Sequence, residues 1–246
     1  MAPEPVVLAI DAGNTRIKWG VHDGRAWTIT GAMPTAESAR VGEGWASLAR
    51  IDRAVACNVA GADVERNLVA ACARHRISLA MVTSRAEQLG VVNGYRDPAQ
   101  LGADRWAALV AAHATGAGHK LVVTAGTALT VDALGADGRF AGGLILPGPA
   151  LMRRALGGGT AGLRLTEGAF EEFPATTPDA ITTGALQACV GAILRMRDAM
   201  AARGMAPERA LLSGGAAGEI APRLPMPFAI HDNLVLDGLA RIARES

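Results

Sequence analysis

The chain opens on short apolar runs broken by turn residues. "VVLAI" reads as a strand over about residues 6–11, and the alternation that follows as a second over about 16–22. The Asp-Gly pair in "HDGR" marks a turn, and "AWTITG" is a third strand, so the chain begins as a β-meander. Beyond it, "RAVACNV" predicts a strand, "GADVERNLVAACARHR" an amphipathic helix, "ISLAMVT" a strand and "SRAEQLG" a helix-like segment. "NGYRDPAQLGADR" is punctuated as a loop, and "WAALVAAHATG" as a helix ending at Gly116.

The pattern then restarts. "KLVVTAGTALTVDALGADGRFAGGLILPG" gives a strand, a Gly/Thr turn, a strand, an Asp-Gly turn and a strand. This repeats the organisation of residues 6–31 about 115 residues further on, the mark of a duplicated architecture. Helix-like "PALMRRAL", a Gly-rich loop and a long helix over about 178–203 come next. "RALLSGGAAGEIAPRL" reads as strand, Gly-Gly turn and helix, "FAIHDN" as a last strand and "LVLDGLARIARES" as a closing helix. The expected fold class is α/β, a mixed sheet with helices on its faces in each of two tandem domains. The boundary falls at 1–117 and 118–246, the closing helix packing back on the first, and the cleft between domains is where a ligand is expected.

Composition narrows the partners. The 246 residues are 19% charged with a formal net charge of +1, so there is no basic field for nucleic acid and no acidic tail. The first residues show no basic and apolar leader, and no run approaches the ~20 apolar residues of a membrane span; a cytoplasmic protein is expected. Cys57, Cys72 and Cys189 have no C-x-x-C spacing and read as small buried hydrophobes. The five histidines are dispersed without metal spacing, and the four tryptophans read as packing.

Chemistry concentrates in the turns. In "DAGNTRIK", Asp11 to Lys18, Gly13 lets backbone approach a phosphate, Asn14 and Thr15 offer side-chain donors and Lys18 a positive charge. Asp11 would hold Mg²⁺, which takes few carboxylates plus phosphate oxygens. An ordinary hairpin with Asp-Gly-Asn turn chemistry accounts for that stretch equally well. The second copy places Gly126 and Thr127 between strands, and Gly214 and Gly215 make a close-approach turn before a helix. There is no P-loop motif, and "GGGTAG", residues 157–162, follows a helix-like segment rather than a strand, so it reads as a flexible loop. Thr160, after the three glycines, and Arg164 carry no argued role. The three Gly/Thr elements, in this order, resemble the two phosphate motifs and the adenosine motif of the acetate kinase, sugar kinase, Hsp70 and actin superfamily. That resemblance implies duplicated ribonuclease H-like (actin-like ATPase) domains.

"YRDPAQLGADRWAAL", residues 95–109, sharpens the resemblance. With "DAGNTRIK", "AGTALTVD", "GGLILPG" and "TTGAL" in the same order, the chain resembles the type III pantothenate kinases and the related Bvg accessory factors. The resemblance implies ATP-dependent phosphorylation of pantothenate to 4'-phosphopantothenate, the opening step of coenzyme A synthesis, by a phosphotransferase acting on an alcohol. It implies that Asp104 is the proton acceptor and that Tyr95, Gly102, Ala103, Asp104, Arg105 and Thr183 contact pantothenate. It implies that Asp11, Ala12, Gly13, Asn14, Thr15, Arg16, Ile17 and Lys18 form the first ATP loop, and that Thr127 contacts ATP. It also implies a homodimer, with the substrate site near the subunit interface, and a monovalent cation, K⁺ or NH₄⁺. Here the chain departs from the pattern: Thr124 stands where the family's cation-linked aspartate belongs, which puts K⁺ activation in doubt. Asp132, two strand positions past Thr130, is displaced along the strand and is no evident substitute. Two other readings stay open, a non-catalytic accessory protein of this fold and another small-molecule kinase of the superfamily.

Overall fold

The computed structural model describes residues 4–45, 48, 50–159 and 168–245. In chain order the strands and helices are β1 (Val7–Ala12), β2 (Arg16–His22), β3 (Trp27–Pro34), β4 (Arg53–Asn58), α1 (Ala62–Arg74), β5 (Leu79–Met81), β6 (Glu87–Gln88) and β7 (Val91–Asn93). Then come α2 (Ala103–His113), β8 (Lys120–Ala125), β9 (Ala128–Leu134), β10 (Arg139–Pro147), α3 (Pro149–Gly159) and α4 (Thr177–Ala201). β11 (Arg209–Ser213), α5 (Ala217–Ile220), β12 (Phe228–Ile230) and α6 (Leu234–Glu245) complete the order. Two compact units result: Met1–Thr115 with Leu234–Ser246, and Gly116–Asn233.

The first unit is built on a five-stranded sheet ordered β3-β2-β1-β4-β5. The meander β1–β3 is antiparallel, and β4 and β5 join it in parallel. Successive side chains of β1 point to opposite faces, and both faces are buried. Leu8, Ile10 and Ala12 pack with Val64, Leu68, Ala71 and Cys72 of α1. Val7, Ala9 and Asp11 therefore point to the opposite face. α6 packs there on β1 and α2, so closely that a Cβ at Gly238 would collide with the carbonyl of Ala107.

The second unit repeats this plan. Five of its strands run in the order β10-β9-β8-β11-β12, again an antiparallel meander joined by two parallel strands. Leu121, Val123, Ala125, Leu129 and Val131 form one core with Leu186, Cys189 and Ile193 of α4. β1 and β8 have the same length and the same burial sequence, with the one partly exposed residue in fifth place: Asp11 in β1 and Thr124 in β8. The sheets thus bear out the repeat read from the sequence.

Three local expectations need correction. "SRAEQLG" is no helix. Leu89 and Gly90 both adopt positive φ, 51° and 78°, and turn β6 back on β7 with Glu87 opposite Val92. Two successive residues on the left-handed side fit a tight hairpin and break a helix. The helix expected from Trp106 begins earlier, at Ala103, so Ala103, Asp104 and Arg105 are its first turn rather than loop. Finally, Gly157–Gly159 continue α3 instead of opening a loop; the rest of "GGGTAG", with Thr160 and Arg164, lies outside the described residues.

Candidate functional site

Pairing register decides which polar groups meet in the first unit. Asp11 lies opposite Lys18 on β2 and beside Cys57 on β4, so the three side chains form a row on one face of the sheet. The Cys57 thiol donates to Asp11 Oδ1 at 3.4 Å. Burial, then the neighbouring Asp104 carboxylate, push the Asp11 pKa up to about 6, against the Cys57 hydrogen bond and the charge of Lys18. Burial and the charges of Asp11 and Asp104 raise the Cys57 thiol well above its usual range. The fold therefore brings Asp11, Lys18, Cys57 and Asp104 into one electrostatic neighbourhood.

Between β1 and β2 the turn is closed by Gly13 N–H donating to Arg16 O at 3.1 Å. Asn14, Thr15 and Arg16 are exposed, while Ala12 and Ile17 are buried in the strands as anchors. A residue not foreseen from the sequence pins this turn from outside. Thr35 donates its hydroxyl to Gly13 O at 2.6 Å and its N–H to Thr15 O at 3.0 Å.

Asp104 sits in the first turn of α2, where backbone N–H groups and the helix dipole favour a carboxylate. Its Oδ1 accepts the Arg105 N–H at 2.8 Å, and at Gly102, the residue before the helix, a Cβ would come within 2.6 Å of that oxygen. Arg105 is buried, and its guanidinium donates to the Tyr95 hydroxyl at 3.0 Å and lies 5.7 Å from the centre of the Tyr95 ring. The loop carrying Tyr95 is stapled. Asn93 accepts the Tyr95 N–H at 3.0 Å, and Asn93 and Ser84 both donate to Pro98 O. Gly102, Ala103, Asp104, Arg105 and Tyr95 thus form one rigid patch with two donor-bearing side chains and one carboxylate.

In the second unit the expected turns also converge. Gly126 N–H donates to Ala128 O at 2.9 Å, and Gly148 N–H to Thr127 O at 2.8 Å. Gly214, at φ 93°, packs against the backbone of Ala125, where a Cβ would collide with the carbonyl. Gly215, next to it, has open space around its Cα. Thr124 is paired with Thr130 and with Ser213. The Thr130 hydroxyl is buried and, among the described residues, has no hydrogen-bond partner. Thr183 lies on α4. Its buried hydroxyl accepts from Glu171 N–H at 3.0 Å and donates to Glu171 O at 3.2 Å.

No group of three or more His, Cys, Asp or Glu able to hold a metal occurs among the described residues. A cation at Asp11 would therefore be held by one carboxylate with phosphate oxygens and water, which is how Mg²⁺ is ordinarily bound at nucleotides. The donor set fits: the mutually repelling carboxylates of Asp11 and Asp104, both partly exposed, are relieved by a divalent cation. No helix among the described residues is long and apolar enough to cross a membrane.

The model of the type III pantothenate kinase family matches residues 7–199. A type III pantothenate kinase of Aromatoleum aromaticum is 50% identical over 240 residues, covering 98% of either chain. Among solved structures, a Baf family protein from Campylobacter jejuni superposes with a TM-score of 0.63 at 20% identity, covering 97% of this chain and 98% of that one. A ROK family glucokinase from Streptomyces griseus gives 0.53 at 12% identity, covering 98% and 100%. At such identities the two structures speak to the fold alone, the α/β fold of the actin-like ATPases and sugar kinases expected from the sequence.

Proposed function

This chain belongs to the type III pantothenate kinase family and is an ATP-dependent kinase of pantothenate, and we propose that Asp104 takes the hydroxyl proton while the Asp11–Lys18 turn holds the nucleotide's phosphates. The observation that carries this reading is the Asp11–Asp104 neighbourhood. The residue matched to the proton acceptor raises the pKa of the residue matched to the phosphate loop.

Phosphoryl transfer asks a protein for positioning and charge stabilisation, with a group to receive the acceptor's proton. Lys18 and the Gly13–Thr15 turn supply positive charge and backbone approach on the donor side. Gly126, Thr127, Gly214 and Gly215 supply close-approach turns in the second unit, Thr127 for a phosphate and the Gly-Gly turn for the adenosine. Mg²⁺, bound through Asp11, would neutralise charge on the phosphate oxygens. On the acceptor side, Arg105 and Tyr95 present donors suited to the pantothenate carboxylate. Asp104 needs geometry more than basicity, because an alcohol acidifies only late in the transfer. Its bond to the Arg105 N–H fixes that geometry.

We propose a homodimer as well. Phe173, 89% exposed, lies two residues from Glu171, which engages Thr183, and Leu156 of α3, 49% exposed, lines a groove with Ile181 of α4 and with Pro174 and Ala175 of the segment before it. An exposed phenylalanine next in sequence to this largely apolar groove supports an interface there. For the monovalent cation the residues fit poorly. Thr124 and Thr130 offer neutral hydroxyls in place of a carboxylate.

A coupled assay of ADP release, with and without pantothenate, tests the assignment on wild type and Asp104→Asn. ADP release should depend on pantothenate, and kcat should fall about 10²-fold or more in the variant with nucleotide binding kept. Near-normal turnover in Asp104→Asn would remove it from the mechanism.

A further inference from the structure

Cys57 is completely buried, and its thiol makes the one hydrogen bond that the Asp11 carboxylate accepts among the described residues. The rest of β4 does not call for a donor here. Ala54, Val55 and Ala56 are apolar and buried, so Ala or Val would satisfy packing at the next position. The second unit keeps a donor at the corresponding place. There Ser213 of β11 sits beside Thr124 as Cys57 of β4 sits beside Asp11. A carboxylate rotates about its last side-chain bond with little restraint, and Lys18, across the strand pair, constrains it by charge rather than by direction.

We propose that Cys57 is a positioning residue for the phosphoryl transfer: its thiol proton holds Asp11 Oδ1 and so fixes the plane in which the carboxylate meets the cation. The proposal rests on the assignment of Asp11 to Mg²⁺. A thiol suits the task, because it is a weak donor that orients the carboxylate without replacing its charge. The thiol is completely buried, with the Asp11 carboxylate as its acceptor at 3.4 Å. Groups that orient a metal-binding carboxylate matter about 10–100-fold in metal affinity, and a weak donor belongs at the low end.

Infrared spectra of the metal-free protein test the bond itself. The S–H stretch of Cys57, isolated by subtracting the spectrum of Cys57→Ser, should lie at lower frequency in wild type than in Asp11→Ala. Binding of Mn²⁺ with a non-hydrolysable ATP analogue, followed by electron paramagnetic resonance, tests the consequence. Cys57→Ala should bind Mn²⁺ about tenfold more weakly, with the pantothenate KM unchanged, and Cys57→Ser should restore binding to within about twofold of wild type, because its hydroxyl is again a donor. An S–H band that ignores Asp11→Ala overturns the proposal. So does wild-type Mn²⁺ binding in Cys57→Ala, or equal impairment in the Ser and Ala variants. Should Cys57→Ala not fold, the infrared comparison decides alone. If Asp11→Asn itself binds Mn²⁺ like wild type, the Asp11 assignment fails and the positioning role with it, while the S–H band still reports whether the bond exists.

Discussion

Replacing Asp11 by Asn should abolish the kinase and make the protein more stable. In the folded chain the Asp11 pKa is pushed from 3.8 up to about 6, by burial first and by Asp104 next. A raised acid pKa means the folded state binds the proton more tightly than the unfolded chain. Stability therefore falls as pH rises through the window from about 4 to 6, and the full cost is present above it. The shift of roughly two units corresponds to about 3 kcal/mol at about 1.4 kcal/mol per unit. That is an upper figure, because the side chain keeps some exposure and Asn must still bury an amide, which also keeps an acceptor for Cys57. A realised gain of about 1–2 kcal/mol raises the unfolding midpoint on the order of 5 °C for a chain of this size. Thermal unfolding in EDTA without nucleotide, at pH 8, 5 and 4, is the assay. Asp11→Asn should lead wild type most at pH 8, less at pH 5 and not at all by pH 4. Equal midpoints at pH 8, or a gain that does not change with pH, would refute the account.

Kinase rates in potassium, ammonium and sodium at fixed ionic strength should differ little, because Thr124 offers no charge for a monovalent cation; a strong potassium requirement would show that another group supplies it. His22 should tie stability to pH in the opposite sense from Asp11. Its Nδ1 faces Arg244 and the Gly24 N–H, and burial, then Arg244, lower its pKa against Asp23, Asp237 and Glu4. The unfolded chain then takes the proton more readily, so stability is lost as pH falls below about 6.5, and His22→Gln should lose less between pH 7 and pH 5. Light scattering at micromolar concentration should return twice the chain mass, and Phe173→Glu should shift it toward the single chain; a single-chain mass for wild type removes the dimer.

The meander strands, their turns and the restart of the pattern were legible because apolar runs of strand length stand between Asp-Gly and Gly-Thr turns, all within short range of one another. The positions of Asp11 and Lys18 at strand ends, Gly126 in a turn and Asp104 at a helix start were legible for the same reason, while the role proposed for Asp104 came from the resemblance to the family. What escaped reading depends on residues distant in sequence. Cys57 looked like a small core residue, and only the parallel pairing of β1 with β4 shows that it meets Asp11. Thr35 reaches back to Gly13 across β2 and β3. "SRAEQLG" is made of helix formers, yet Leu89 turns to φ 51°. Its Gln88 side chain accepts the buried Trp106 indole N–H at 3.2 Å, a tertiary demand that local propensity cannot report. Gly238 is unremarkable inside a helical pattern until Ala107 is found against it.

The duplication bears on how the charges of the proposed site are arranged. In the first unit the row across the sheet is Lys18–Asp11–Cys57, and in the second the same three places hold Thr130–Thr124–Ser213. One copy thus carries an acid, a base and a donor, and the other three hydroxyls. Burying an ionised carboxylate costs stability unless a cation or hydrogen bonds compensate, and the raised pKa of Asp11 shows that Lys18 and Cys57 compensate only in part. A second acid at Thr124 would add a like cost with Thr130, not a lysine, opposite it. The neutral row removes that cost, and its own remaining debt is a single buried hydroxyl at Thr130. Among the proposed catalytic residues, the ionised groups Asp11, Lys18, Asp104 and Arg105 consequently all belong to the first unit. The second offers turns and hydroxyls, groups suited to a phosphate through backbone approach and dipoles rather than net charge. Chemistry that depends on the balance of Asp11 and Asp104 is thereby set within one unit, where a single sheet and the start of α2 hold both carboxylates.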